Sequence, residues 1–150
     1  MSESATSKSP TVVDQVQRDH RKIEALLQRV TDEAGADRTE AFDELARYLE
    51  MHEAAEQAVV RPEISKVDAA EANSRQAEES KADDQIARLR STPADSAEFD
   101  ALFAKFRSAV LQHAQQEERE EHPELEANVS PARLVEMGKE FTQAEQEASD

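Results

Sequence analysis

Four stretches of the chain place residues at alternating steps of three and four, the spacing that lines side chains along one face of an α-helix. They read Val13, Val16, His20, Ile23, Leu27, Val30, Ala34; Phe42, Leu45, Leu49, His52, Glu56, Val59; Ala72, Arg75, Glu79, Ala82, Ile86, Leu89; and Phe99, Phe103, Phe106, Val110, His113, Glu117. A chain with four such stripes must bury them against one another, which makes the expected fold all-α, an up-down-up-down four-helix bundle. Two glycines, no tryptophan and one tyrosine leave little from which to build strands.

The punctuation between the stripes sets the expected boundaries. The first helix opens near Ser9-Pro10-Thr11, with Pro10 suited to a first helical position, and closes at Gly35. Asp37-Arg38-Thr39-Glu40 reads as a capping box for the second helix, which Pro62 ends or kinks. Residues 65–73 are weakly patterned, and the third stripe is the least apolar. Ser91-Thr92-Pro93-Ala94 breaks the chain, Asp95-Ser96-Ala97-Glu98 caps the fourth helix, and Pro123 closes or bends it. Ser130-Pro131 starts a short fifth helix with Leu134, Met137 or Gly138, Phe141 and Ala144 on one face, expected to pack across the bundle or to serve a weak homodimer. The expected organisation is a disordered tail over residues 1–10, the bundle over 11–128, and a short helix and tail over 129–150.

Polar residues on apolar stripes carry the functional signal. Of four histidines, His20, His52 and His113 fall on the stripes, whereas His122, before Pro123, has no stripe partner. Were stripe positions two in seven, chance would place three named histidines there about one time in forty. His52 and His113 are each followed four residues later by a glutamate on the same stripe, Glu56 and Glu117. A buried His or Glu needs a partner that justifies its desolvation, and a bound cation is the simplest one. With no cysteine, the ligands must be imidazole and carboxylate, which narrows the metals to iron, manganese or zinc. Counting from turns near Ala36 and at Ala94 puts His20 and His52 at one depth, and Glu79 and His113 about one helical turn apart. The Glu-x-x-His spacing of ferritin-type di-iron bundles is absent, since Gln17, Leu49, Val110 and Arg119 stand three residues before the histidines.

Charge and hydropathy exclude other classes. A net charge of −16 without a basic patch repels nucleic acid and anionic lipid. No apolar run is long enough to span a bilayer, and Met1 to Pro10 lacks the apolar core of a signal peptide, so a cytoplasmic protein is expected.

One histidine on the first helix, His-x-x-x-Glu on the second with a proline six residues beyond Glu56, and His-x-x-x-Glu on the fourth followed by Pro123 together resemble the hemerythrin-like, HHE cation-binding domains. The resemblance covers about residues 13–127. It implies a bundle whose core holds two iron ions joined by an oxo or hydroxo bridge. His20, His52 and His113 would then be terminal ligands, and Glu56 and Glu117 would bridge the ions. The departure is on the third helix, where the family has a histidine and often a second ligand-type residue four later. This chain has Glu79 and Asp83; Ser80 falls off the stripe, so Glu79 is the better match. An anionic oxygen in place of imidazole favours Fe(III), lowers the reduction potential, weakens reversible dioxygen binding and makes manganese a stronger candidate. Alternatively, Glu79 and Asp83 are ordinary solvated acids.

The functional expectation is a non-heme di-iron protein that handles dioxygen, hydrogen peroxide or nitric oxide; any turnover would be peroxide-decomposing, catalase-like or another oxidoreductase activity. The alternatives are an iron-storage or single-cation binding protein, with Mn or Zn as other occupants, or a helical interaction module whose buried polar groups set helix register.

Overall fold

A computed structural model describes residues 9–149; the first eight residues of the expected tail lie outside the described residues. Seven α-helices follow in order: α1 Val12–Asp32, α2 Gly35–Ala55, α3 Arg61–Val67, α4 Ala69–Arg90, α5 Ala97–Gln116, α6 His122–Asn128 and α7 Pro131–Ser149. Two π-helical turns, Glu56–Val60 and Glu117–Glu121, join α2 to α3 and α5 to α6, so each pair runs on without a break. No strand occurs among the described residues. The bundle is therefore all-α, with α1, the α2–α3 arm, α4 and the α5–α6 arm as its four members.

The prolines explain the π turns. Pro62 and Pro123 have no N–H, and their rings would crowd the carbonyl one turn earlier, so the helix widens rather than stops. The widened bond is the same in both arms: Arg61 N–H donates to the Glu56 carbonyl, and His122 N–H to the Glu117 carbonyl.

Several boundaries differ from the sequence reading. Thr11 is the N-cap of α1, in a capping box with Asp14, so Pro10 precedes the helix instead of occupying its first position. α2 starts at Gly35, ahead of the expected box at Asp37–Glu40, and its N-cap Ala34 makes no side-chain bond. Gly35 permits this early start because it takes φ of 58°, and its N–H donates to Asp95 Oδ1 at 2.9 Å. α4 begins at Ala69, where Asp68 Oδ1 accepts the Glu71 N–H at 3.0 Å. In the segment expected to cap α5, Ser96 does so, accepting the Phe99 N–H at 3.1 Å.

Two apolar clusters fill the interior. At the loop end Phe42 packs edge-on against Phe99, Phe103 and Phe106, with Leu27, Val30, Leu45, Ile86 and Leu89 around them. At the other end Val12, Val16, Val60, Ile64, Leu125, Met137 and Phe141 form the second cluster. Along α1, His20 separates the two clusters, and along the α2–α3 arm His52 and Glu56 do.

α7 contributes to the second cluster. At 19 residues it is nearly as long as the bundle helices, and it packs on α1 and α2 with Leu134, Met137 and Phe141 buried. Gly138 permits this approach, because a Cβ there would lie 2.8 Å from the Pro10 carbonyl oxygen. The apolar face that the sequence offered to the bundle or to a partner goes to the bundle. No helix of the described residues is long and apolar enough to cross a membrane.

Candidate metal centre

Between the clusters the structure brings buried and half-buried polar side chains into one layer. His20, His52, Glu56 and Glu117 are buried and offer one donor atom each within 4.8 Å of one another. Glu56, Glu79 and Glu117, all buried, and the half-buried His113 also offer one donor atom each within that distance, so two four-donor groups share Glu56 and Glu117. His20 Nε2 lies 3.0 Å from Glu117 Oε1, and His52 Nε2 lies 3.3 Å from Glu56 Oε1. His113 Nε2 lies 3.1 Å from Glu117 Oε2 and 3.4 Å from Glu79 Oε2. Glu79 is buried at the level of His113 rather than a full turn away.

Each imidazole is oriented from behind. His20 Nδ1 meets Glu118 at 2.6 Å, His52 Nδ1 meets Asp19 at 2.7 Å, and His113 Nδ1 meets Glu78 at 2.7 Å. Carboxylates only accept, so each Nδ1 carries a proton and each Nε2 faces inward, the arrangement that prepares a histidine to ligate. Asp19 also accepts from the Tyr48 hydroxyl at 2.9 Å and meets Glu145 from α7. Phe141, also on α7, packs its ring 5.9 Å from that of His52. The last helix thus closes the layer behind His52.

The donor set fits a cation on direct observation. Glu56 Oε1, Glu117 Oε2 and His113 Nε2 are buried without an aligned hydrogen-bond partner among the described residues. Lone pairs that are desolvated and unmatched are costly, and a metal ion satisfies several at once. Burial disfavours charge on His52 and His113, but Glu56 and Asp19 hold His52, and Glu117 and Glu78 hold His113, well above the ordinary histidine range. Burial and the neighbouring Glu117 push Glu56 up to about 7, whereas His113 and His20 outweigh burial and hold Glu117 well below the carboxylate range.

An internal repeat orders the whole layer. His52, Glu56, Arg61 and Pro62 in one arm match His113, Glu117, His122 and Pro123 in the other, at the same spacings. Asp19 and His20 on α1 correspond to Glu78 and Glu79 on α4, and Gln57 corresponds to Glu118. His20 is backed by Glu118 and stacked on His122 at 6.2 Å; burial pushes the His122 pKa down to about 4, so this ring is neutral. Glu79 is backed by donors, Gln57 Nε2 at 3.1 Å and Arg61 Nη2 at 2.6 Å. The sequence reading gave no role to Asp19, Gln57, Arg61, Glu78, Glu118 or His122, although the repeat across the two His-x-x-x-Glu segments pairs four of them, Gln57 with Glu118 and Arg61 with His122.

Asp83 is not brought into either group. Its side chain is exposed and meets Glu53, whose pKa rises to about 9 through burial and the charges of Asp83 and Glu79. A cavity of about 190 Å³ opens beside both groups, between α4 and α5, with Leu49, Ala82, Ala109 and Val110 among its walls.

No curated protein matches the chain at a significant level. Among solved structures, the hemerythrin HHE cation binding domain-containing protein from Mycobacterium kansasii, the Rv2633c homolog, is similar with a TM-score of 0.85 at 22% identity, over 93% of this chain and 88% of that one. That likeness is one of fold. The model of the hemerythrin HHE cation binding domain matches residues 11–125. With most of its length inside that match, the chain belongs to the hemerythrin HHE cation-binding domain family.

Proposed function

We propose that this protein binds two metal ions, iron in the first instance, and handles a small ligand of the dioxygen, hydrogen peroxide or nitric oxide type. The observation that carries the reading is the pair of four-donor groups sharing Glu56 and Glu117. His20 and His52 would hold one ion, His113 and Glu79 the other, and the shared carboxylates would span both. Two bound irons would supply the electrons for redox chemistry on such a ligand.

The chain's own residues do the rest. Asp19, Glu78 and Glu118 hold the imidazoles with Nε2 inward, so little reorganisation accompanies binding. The cavity admits water-sized and diatomic molecules, and its apolar walls favour neutral ones over ions. Asp83, exposed and paired with Glu53, would stay outside the ligand set.

Metal analysis and an absorption spectrum on protein purified without added metal test the reading. Two irons per chain with oxygen-bridge bands, together with peroxide consumption, are expected; protein that takes up no iron would overturn it. One contact favours a single-ion alternative, the ion pair between Arg61 and Glu79, and that alternative saturates at one equivalent.

A further inference from the structure

We propose that Arg61 makes the two metal positions unequal, so that an ion at His20 and His52 binds first and a second enters at His113 and Glu79 with lower affinity. This rests on the two-ion reading and adds an order of filling and the residue that sets it.

The two positions share Glu56 and Glu117 and differ only in what each owns. The first owns two imidazoles, whose Nε2 atoms have no cation against them. The second owns one imidazole and Glu79, whose two oxygens are already engaged. Gln57 donates to Oε1 at 3.1 Å, and Arg61 Nη2 lies 2.6 Å from Oε2, the same oxygen that faces His113 Nε2 at 3.4 Å. An ion at this position must share that oxygen with a guanidinium. Arg61 also cancels the extra negative charge that Glu79 brings, so the carboxylate confers no electrostatic advantage over imidazole.

Arg61 is poorly explained as a stabilising residue. It is mostly buried, and its Nε and Nη1 have no hydrogen-bond partner among the described residues. A guanidinium desolvated with most of its donors unmatched weakens a core, and an apolar side chain of similar volume would be tolerated as well or better. The matching slot in the other arm holds His122, whose ring stacks on that of His20 and whose Nδ1 meets Gln17 rather than a donor oxygen of either group. Outer-shell partners commonly change metal affinity by about ten- to a hundredfold, enough to separate two binding steps.

The test is titration of chelator-stripped, full-length protein with Mn(II) alone, followed by calorimetry and by the mononuclear Mn(II) resonance, which fades through spin coupling as the second ion enters. The parent should show two resolved steps. Arg61→Met should tighten the second step by about tenfold or more and leave the first unchanged. A gain confined to one step is not what a merely structural residue would give. Arg61→Gln, which keeps a donor against Glu79 without the charge, should give a smaller gain in the same direction, and it serves if Arg61→Met does not fold. Glu79→Gln should remove the second step and spare the first. Two equal steps in the parent, or a second step that is unchanged or weaker in both Arg61 variants, would overturn the assignment while leaving the two-ion reading intact. Absence of any step, or saturation at one equivalent in the parent and both Arg61 variants, would instead overturn the two-ion reading.

Discussion

On the α1–α2 side His20 faces the shared glutamates, with the carboxylate of Glu118 behind its Nδ1 and the neutral ring of His122 against its face. On the α4–α5 side Glu79 stands in the matching place, with the amide of Gln57 and the guanidinium of Arg61 behind it. Exchanging imidazole for carboxylate reverses the polarity required of the neighbours. A histidine that ligates through Nε2 has a proton to donate at Nδ1, so its support must accept. A carboxylate has only lone pairs, so its support must donate. The third-helix departure is therefore a correlated set of residues, and it accounts for a mostly buried guanidinium directly behind Glu79.

The largest effect should come from what the halves share. Glu117→Ala removes a donor from both groups, and metal content should fall from about two equivalents to well under one, measured on the purified protein. Glu56→Gln should also lose metal. Stability of the stripped protein should move the other way, because Glu56 and Glu117 repel each other in a desolvated layer, and burial with that repulsion drives Glu56 up to about 7. A thermal midpoint that falls on Glu56→Gln in stripped protein would break this account.

The next effect separates the halves by their apolar backing. Phe141 is fully buried and packs on His52, while Phe103 is buried in the loop-end cluster. Each truncation to alanine should cost about 3–5 kcal/mol by denaturant unfolding. Only Phe141→Ala should also weaken the first metal step. Equal effects of the two on metal binding would show that α7 has no special part in the His20–His52 half.

The stripes, the bundle and the layer were legible because each rests on a period. Apolar residues at three and four force the helices, and a histidine on that stripe must point inward. Depth was legible for one hairpin and misjudged for the other, for an instructive reason. From His20 to the end of α1 at Asp32 is 12 positions and from Gly35 to His52 is 17, while from Glu79 to Arg90 is 11 and from Ala97 to His113 is 16. The offset is the same in both hairpins; placing the turns at Ala36 and Ala94 hid it in one and left it visible in the other. Asp83 lies one turn along from Glu79, but on the exposed side of the helix, where its carboxyl meets Glu53. The supports behind the histidines were not legible, since Asp19, Glu78 and Glu118 lie beside the stripes and acids are common everywhere in this chain.

Protons distinguish the halves as well. His52 and His113 are held well above their ordinary 6.5 in the metal-free protein, so the stability they contribute is fully present below 6.5 and is lost as pH climbs through the raised values. Metal competes with these protons, and the rise in thermal midpoint on adding Mn(II) should grow from about pH 6 to about pH 8. In the proposed assignment the first ion would meet two imidazoles and the second one, so the first step should release more protons, read with a pH electrode in unbuffered solution. Equal release would contradict the assignment of His20 and His52 to one position.

The smallest effect contrasts the two carboxylates that orient the histidines of the arms. Asp19 is buried and accepts from His52 Nδ1 and the Tyr48 hydroxyl, and Glu145, whose pKa is driven up to about 9 by burial and by Asp19 itself, carries a proton to donate to it at neutral pH. Asn in its place keeps one acceptor oxygen but turns an NH₂ toward one of these donors, where no water can intervene. Asp19→Asn should therefore weaken the first metal step by about ten- to a hundredfold. Glu78 occupies the same place behind His113, but its side chain is 42% exposed and Arg75 Nη1 shares it at 3.0 Å. Solvent can replace part of what Glu78→Gln removes, so the second step should weaken by only about threefold, the order expected when an exposed charge-assisted bond is lost. If both substitutions cost the same, burial is not what gives Asp19 its leverage, and the His52 side would owe its rigidity to Phe141 and the rest of α7 instead.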